Sequence, residues 1–229
     1  MIIVGHRGCA GIEPENTLRS ILKAVEYGVE YVEVDVRTCK TGEIVVIHDA
    51  TVDRTTNGVG YVRDLSLNEL KNLNAGKGEK IPTLEEAIDV TNGKCGLIVE
   101  IKEENIWRKT LEIIEEKGMV RNTIIASFYH TVVKDVKINY PDVKCGVIFT
   151  CEPVNPSILA LDAKAEIIIP NHNYITQKLI TNAHKFNLKI IAWTVNKFED
   201  GVKLLKQGVD GLATDRPDIM VKLKQLDKS

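Results

Sequence analysis

The chain lacks any apolar run near the roughly 20 residues needed to cross a bilayer, which argues against a helical membrane span within its 229 residues. It also lacks a basic leader and cleavage site, since Met1-Ile2-Ile3-Val4 runs straight into Gly5-His6-Arg7; a soluble, unexported, cytoplasmic protein is expected. Neither sign of charge dominates. The 30 Lys and Arg against 32 Asp and Glu leave a formal charge of −2, so strong attraction to a polyanion such as nucleic acid is not expected. Aromatic residues make up only 5% of the chain and form no cluster able to anchor it on lipid, so no stable membrane association is expected either. Cys9, Cys39, Cys95, Cys145 and Cys151 are odd in number, scattered and never spaced Cys-x-x-Cys. That excludes a zinc ribbon or a disulfide framework and suits reduced thiols. Cys9 lies near a motif of interest but reads as small buried filler, not as a nucleophile.

What is present is a globular composition, 44% hydrophobic and 27% charged, long enough for one α/β barrel domain. Short β-rich runs alternate with helical periodicity: 2–5, 31–36, 44–48, 97–101, 123–127, 144–149, 166–169, 189–194 and 210–213 read as strands. Leu18, Ile21, Leu22 and Val25 before Gly28, and Phe198, Val202 and Leu205 before Gly208, give helices one apolar face. Nine strand candidates exceed the eight places of a barrel, so one is irregular. The segment 37–43, with Thr41-Gly42 at its middle, is too short for a parallel crossover and suits an antiparallel hairpin. Folding about Thr41-Gly42 sets His48 opposite Asp35. The expectation is an eight-stranded (β/α)8 TIM barrel, a single domain over residues 1–229. Residues 49–82 break the rhythm, being polar and rich in glycine, and read as a small insertion over one face. Ser66-x-x-Glu69 within it and Thr83-x-x-Glu86 just after it are capping boxes that start short helices.

Alternation in Tyr31-Val32-Glu33-Val34-Asp35-Val36 sends three valines to one face of a strand and both carboxylates to the other. An exposed edge with ordinary surface acids fits this fragment alone. If the face is interior, burial and mutual repulsion demand a cation between the acids. In Gly96-Leu97-Ile98-Val99-Glu100-Ile101-Lys102 the same parity places Glu100 and Lys102 together, either as a plain ion pair or as part of the same cluster. Charged groups at the C-terminal ends of barrel strands converge in space. Glu33, Asp35 and Glu100 then form an all-oxygen ligand set, suited to a divalent metal ion, Mg2+ or Ca2+, more than to zinc. His6 follows the first strand and His48 ends the third. A pair of histidines beside a carboxylate cluster suits proton transfer in both directions near neutral pH. Arg7 supplies a fork-shaped donor for an anionic oxygen pair. His130, His172 and His184 sit in loop or helical contexts and are given no catalytic part.

In order along the chain, the segments His6-Arg7-Gly8, Pro14-Glu15-Asn16-Thr17, Glu33-x-Asp35, His48-Asp49, Asp53-Arg54-Thr55-Thr56, Ile81-Pro82-Thr83-Leu84, Glu100-Ile101-Lys102, Ser127-Phe128, Trp193-Thr194-Val195-Asn196 and Thr214-Asp215-Arg216-Pro217 resemble the glycerophosphodiester phosphodiesterases over essentially the whole chain. The resemblance implies a (β/α)8 metal-dependent hydrolase that splits a small-molecule glycerophosphodiester into glycerol 3-phosphate and an alcohol. It implies that His6 and His48 are the acid/base pair and that Glu33, Asp35 and Glu100 are metal ligands. By the same resemblance Arg7 and Lys102 bind phosphate and Trp193 forms a wall against the glycerol part. Glu15 and Asn16 match the motif and are grouped with the substrate-binding residues. The insertion looks short beside its counterparts.

At this point either histidine fits either part, and the attacking oxygen belongs to water or to the adjacent glycerol hydroxyl. Two other classes of function remain in view. Lys102 as a Schiff-base nucleophile, with Arg7 on a phosphate, gives an aldolase-type barrel; a non-catalytic barrel that only binds a phosphodiester is the second. A related enzyme acting on membrane lipid is disfavoured by the sparse aromatics, and deacylated, water-soluble substrates are expected.

Overall fold

A computed structural model describes residues 1–226, so the last three positions of the expected 1–229 unit lie outside the described residues. The chain runs through β1 (Ile2–Gly5), α1 (Leu18–Glu26), β2 (Tyr31–Thr38), β3 (Ile44–Val46), α2 (Leu67–Asn72), α3 (Leu84–Thr91), β4 (Gly96–Ile101), α4 (Trp107–Glu116) and β5 (Thr123–Ser127). It continues through α5 (His130–Asn139), β6 (Lys144–Phe149), α6 (Pro156–Asp162), β7 (Ile167–Pro170), α7 (Gln177–Lys185), β8 (Lys189–Ala192), α8 (Phe198–Gln207), β9 (Gly211–Thr214), α9 (Pro217–Met220) and α10 (Leu223–Leu226). All strands except β3 pair in parallel, and β1 bonds to both β2 and β9, which closes an eight-stranded (β/α)8 barrel.

Side-chain parity builds two layers on either side of the sheet. Val32, Val34 and Val36 of β2, with Leu97, Val99 and Ile101 of β4, face outward and pack with Ile21, Ile88 and Leu111 from the surrounding helices. Val4, Ile98, Ile124, Ile148, Ile169 and Ile191 fill the interior. Glu33 and Asp35 share the inward parity of Tyr31, and Glu100 that of Ile98, so the carboxylates stand on top of an apolar plug.

The irregular segment is β3, which pairs antiparallel with the upper half of β2. On that edge β1 reaches only Val32, β3 takes over at Val36, and the gap is bridged by single hydrogen bonds from Gly8 N to Glu33 O (3.3 Å) and from Ile47 N to Asp35 O (3.0 Å). The hairpin register differs by one residue from the expectation. Asp35 lies opposite Ile47, not His48, because the loop uses three residues, 40–42, closed by Cys39 N donating to Glu43 O at 3.1 Å. Gly42 ends that loop at φ +92°, a backbone region that favours glycine and typical of three-residue hairpin loops. The strand also stops at Val46, so His48 sits two residues beyond it.

Both capping boxes form: Ser66 accepts from Glu69 N to start α2, and Thr83 accepts from Glu86 N to start α3. The inserted segment keeps its own small apolar cluster, in which Val52, Val62, Leu70 and Ile81 pack on Val45 and Ile47. Thr51 and Tyr61 form an antiparallel bridge that folds its first part back on itself. This arrangement holds residues 49–54 firmly beside the mouth of the barrel. Among the described residues no helix is long and apolar enough to cross a membrane.

Candidate active site

The site begins where β1 ends. Arg7 and Gly8 both take left-handed backbone angles, φ 50° and 83°, and turn the chain sharply over β2. A side chain at Gly8 would meet the backbone of Ser20 at 2.5 Å, so glycine is required there on two counts. The turn points Arg7 N at Glu33 Oε2 (2.7 Å) and brings the Arg7 guanidinium between Glu15 (Nη1 to Oε1, 2.8 Å) and Asp35 (Nε to Oδ2, 3.3 Å). Asn16, also left-handed at φ 56° and buried, donates from Nδ2 to Asp35 Oδ2 at 2.8 Å and accepts from Asp35 N at 3.3 Å. Such angles at a non-glycine residue cost about 1–3 kcal/mol and persist only where surroundings enforce them.

Glu33, Asp35 and Glu100 are buried, and each offers an oxygen within 4.8 Å of the others. Lys102 Nζ lies 2.5 Å from Glu100 Oε1 and 3.1 Å from Asp35 Oδ1. Burial and the neighbouring Asp35 charge push Glu33 up to about 8. Burial and Asp35 also raise Glu100, against the pull of Lys102. Burial works against ionisation of Asp35, but Lys102 and Arg7 outweigh it and hold that carboxyl below its usual range. The cluster is therefore short of positive charge. Glu33 Oε1 is buried without a hydrogen-bond partner and Asp35 Oδ1 has only the Lys102 ion pair, and an all-oxygen set with an orphaned oxygen is what a hard divalent ion binds.

The two histidines stand on either side of the gap in the β2 edge. His6 Nδ1 faces Asp215 Oδ1 at 2.6 Å, and His48 Nδ1 faces Asp49 Oδ1 at 2.6 Å. Both aspartates are held ionised: burial opposes this at Asp215 but the His6 hydrogen bond prevails, and Arg54 leads the effect at Asp49. A carboxylate only accepts, so each Nδ1 carries a proton and each Nε2 is left for other work. Burial tends to lower His6, yet its hydrogen bond to Asp215 and the charge of Glu33 raise it overall. Burial lowers His48, and Asp35 and Asp49 offset this only in part.

His6, Glu33, Glu100 and Trp193 line one cavity at the top of the apolar plug. Trp193 is fixed by its Nε1 donating to Ile169 O at 2.9 Å and by an edge-on contact with Phe128, whose ring centroid is 5.6 Å away. Lys102 Nζ lies 5.9 Å from the same Phe128 ring. Lys102 stays an ammonium: burial lowers it, but Asp35 and Glu100 raise it above its ordinary value. An imine-forming lysine needs the opposite shift, which speaks against the aldolase reading.

Several groups without an assigned part in the sequence also reach the site. Asp215 follows β9, whose Thr214 pairs with Gly5, so His6 and Asp215 are the next pair once the barrel closes. Asn196 Nδ2 donates to Asp215 Oδ2 at 2.6 Å. Arg37, two residues past Asp35 on the same face, donates to His48 O at 2.9 Å. Arg54 from the insertion bonds both Asp49 and Glu15. Strand-end position and parity were the available signals for Asp215 and Arg37. Arg54 stands in the quoted Asp53-Arg54-Thr55-Thr56 segment, but its bridge to Glu15 was not marked, because that partner comes from a separate segment.

The glycerophosphoryl diester phosphodiesterase family model matches residues 6–219. A glycerophosphodiester phosphodiesterase of Caldanaerobacter subterraneus is 38% identical over 235 residues, covering 97% of each chain. A Bacillus subtilis protein, the putative glycerophosphodiester phosphodiesterase YhdW, is 36% identical with the same coverage of 97% of each chain. Among solved structures, an Oleispira antarctica phosphodiesterase in complex with its product sn-glycerol-3-phosphate superposes with TM-score 0.93, at 27% identity, over 98% of this chain and 97% of its own. A putative glycerophosphodiester phosphodiesterase from Galdieria sulphuraria gives TM-score 0.89 at 32% identity, over 98% of this chain and 97% of its own. With this barrel, this acid cluster and likeness of this extent from end to end, the chain belongs to the glycerophosphoryl diester phosphodiesterase family and is an enzyme of that class.

Proposed function

We propose that the protein, as one catalytic unit with the insertion 49–82 built into its mouth, hydrolyses glycerophosphodiesters to sn-glycerol 3-phosphate and an alcohol by proton transfer between His48 and His6. The observation that carries this reading is the paired arrangement of two Nδ1-anchored histidines beside a buried, cation-deficient cluster of three carboxylates. A divalent cation, Mg2+ or Ca2+, would be held by Glu33, Asp35 and Glu100 and would supply Lewis-acid stabilisation of the phosphate's charge.

The chain's own residues do the rest. Arg7 binds a non-bridging oxygen through its guanidinium, with Lys102 adding a second positive charge. Glu15 and Asn16 stand behind them, fixing Arg7 and Asp35. Trp193, braced by Phe128, walls the glycerol side. His48, shifted down, takes the proton of the attacking water or glycerol hydroxyl at Nε2, and His6, shifted up, gives one to the departing alkoxide; where the glycerol hydroxyl attacks, water then opens the cyclic phosphate to glycerol 3-phosphate. A free cytoplasmic location belongs to this proposal and rests on the scattered cysteines; water-soluble substrates fit it.

His6→Ala and His48→Ala should each lower turnover of glycerophosphocholine by roughly 10²–10⁴-fold. A p-nitrophenyl leaving group needs no proton, so His6→Ala should recover most of its activity on that substrate and His48→Ala should not. Near-normal turnover of glycerophosphocholine in either variant refutes the pairing; the reverse pattern of recovery exchanges the two roles.

A further inference from the structure

Arg54 lies outside the barrel sheet, in the insertion, and its side chain is about half exposed at 48%. An exposed ion pair is ordinarily worth about 0–1 kcal/mol, and on that count alone Arg54 would be a surface residue. Its geometry says otherwise. The guanidinium meets Glu15 as a fork, Nη1 to Oε2 and Nη2 to Oε1, both at 2.8 Å. With its other edge it meets Asp49, Nε to Oδ2 at 2.7 Å and Nη2 to Oδ1 at 3.0 Å. Each of those carboxylates has one further partner in the site. Glu15 holds Arg7 Nη1 at 2.8 Å, and Asp49 holds His48 Nδ1 at 2.6 Å.

We propose that Arg54 is a positioning residue that ties the phosphate-facing Arg7 to the proton-accepting His48 through Glu15 and Asp49, so that the insertion completes the active site. This rests on the roles given to Arg7 and His48 above. Glu15 and Asp49 converge on one cation, and without it two anions would face each other across the mouth. Their repulsion would draw Asp49 away from His48 and loosen the grip of Glu15 on Arg7. A lysine carries a point charge with no planar fork, so it neutralises one carboxylate without spanning both.

The test uses the full chain with added divalent cation, glycerophosphocholine as substrate and release of glycerol 3-phosphate as readout. Arg54→Gln should lower kcat/KM by roughly 10–100-fold, the size expected for a partner standing behind the reacting groups. The loss should divide between a lower kcat, from His48, and a higher KM, from Arg7. Arg54→Lys should restore only part of it. In the double variant Arg54→Gln/Asp49→Asn, kcat should fall little below that of Asp49→Asn alone, because the two residues act in series. Parental kcat and KM in Arg54→Gln, a lowered melting temperature with kcat unchanged, or losses that multiply in the double variant would each overturn the proposal. His48→Ala is assayed alongside. If it is inactive while Arg54→Gln is normal, this inference alone falls; if it stays active, the proton-transfer reading falls first and takes this one with it.

Discussion

His6 and His48 are anchored alike and charged differently. Each donates from Nδ1 to an aspartate at 2.6 Å, but at His6 burial and Arg7 are outweighed by Asp215 and Glu33, whereas at His48 burial, with Lys102 and Arg7, outweighs Asp35 and Asp49. The ordinary value of 6.5 is thus raised in one and lowered in the other. In the proposed roles a base must be neutral to act, so activity should be lost as pH falls through the lowered value of His48. An acid must hold its proton, so activity is lost as pH rises through the raised value of His6. The kcat/KM profile should therefore be bell-shaped, with its acidic limb below the ordinary histidine value and its alkaline limb above it. Steady-state rates across pH check this. With the p-nitrophenyl substrate His6→Ala should lose the alkaline limb and keep the acidic one; a single shared limb would remove the division of labour.

At the scale of elements, the position of His48 depends on the hairpin between β2 and β3, and that hairpin depends on Gly42 at φ +92°. Placing a side chain in a left-handed conformation costs about 1–2 kcal/mol. For a chain of 150–250 residues each kcal/mol lowers the melting temperature by about 2–4 °C. Gly42→Ala should therefore melt about 2–8 °C lower, by the same two figures. Gly42→Val, branched at Cβ, should be worse, and thermal denaturation decides. The same hairpin marks where local reading of the sequence stops. The alternation of Glu33 and Asp35 with three valines was legible, as was that of Glu100 with Lys102, because strand parity is a local property. The one-residue register difference arose because a three-residue loop and a two-residue loop look alike in Lys40-Thr41-Gly42. Asp215 and Arg54 lie in segments that carry the family resemblance, but their contacts were out of reach for another reason. One acquires its partner only when β9 closes on β1, the other only when the insertion folds onto the β1–α1 loop.

At the scale of the whole molecule, three buried carboxylates with two compensating cations make the folded state depend on what binds there. A ligand that binds only the folded chain stabilises it by about 2.7 kcal/mol at one hundred times its dissociation constant. By the scaling above, saturating Ca2+ or Mg2+ should raise the melting temperature of chelator-treated protein by about 5–11 °C. Glu33→Gln should abolish most of that rise. An equal rise in both proteins, followed by calorimetry, would place the ion elsewhere. The gap between β1 and β3 on the edge of β2 has a consequence of its own. The turns that carry His6 and His48 are clipped to β2 through Gly8 N and Ile47 N, and His6 N itself donates to Thr214 O of β9, while residues 150–155, the stretch after β6, take no part in that attachment. That stretch is open to being exchanged, lengthened or recoloured with new side chains, whereas His172, after β7, donates its backbone N–H to Trp193 O at 2.8 Å, so a graft there would disturb the wall of the site.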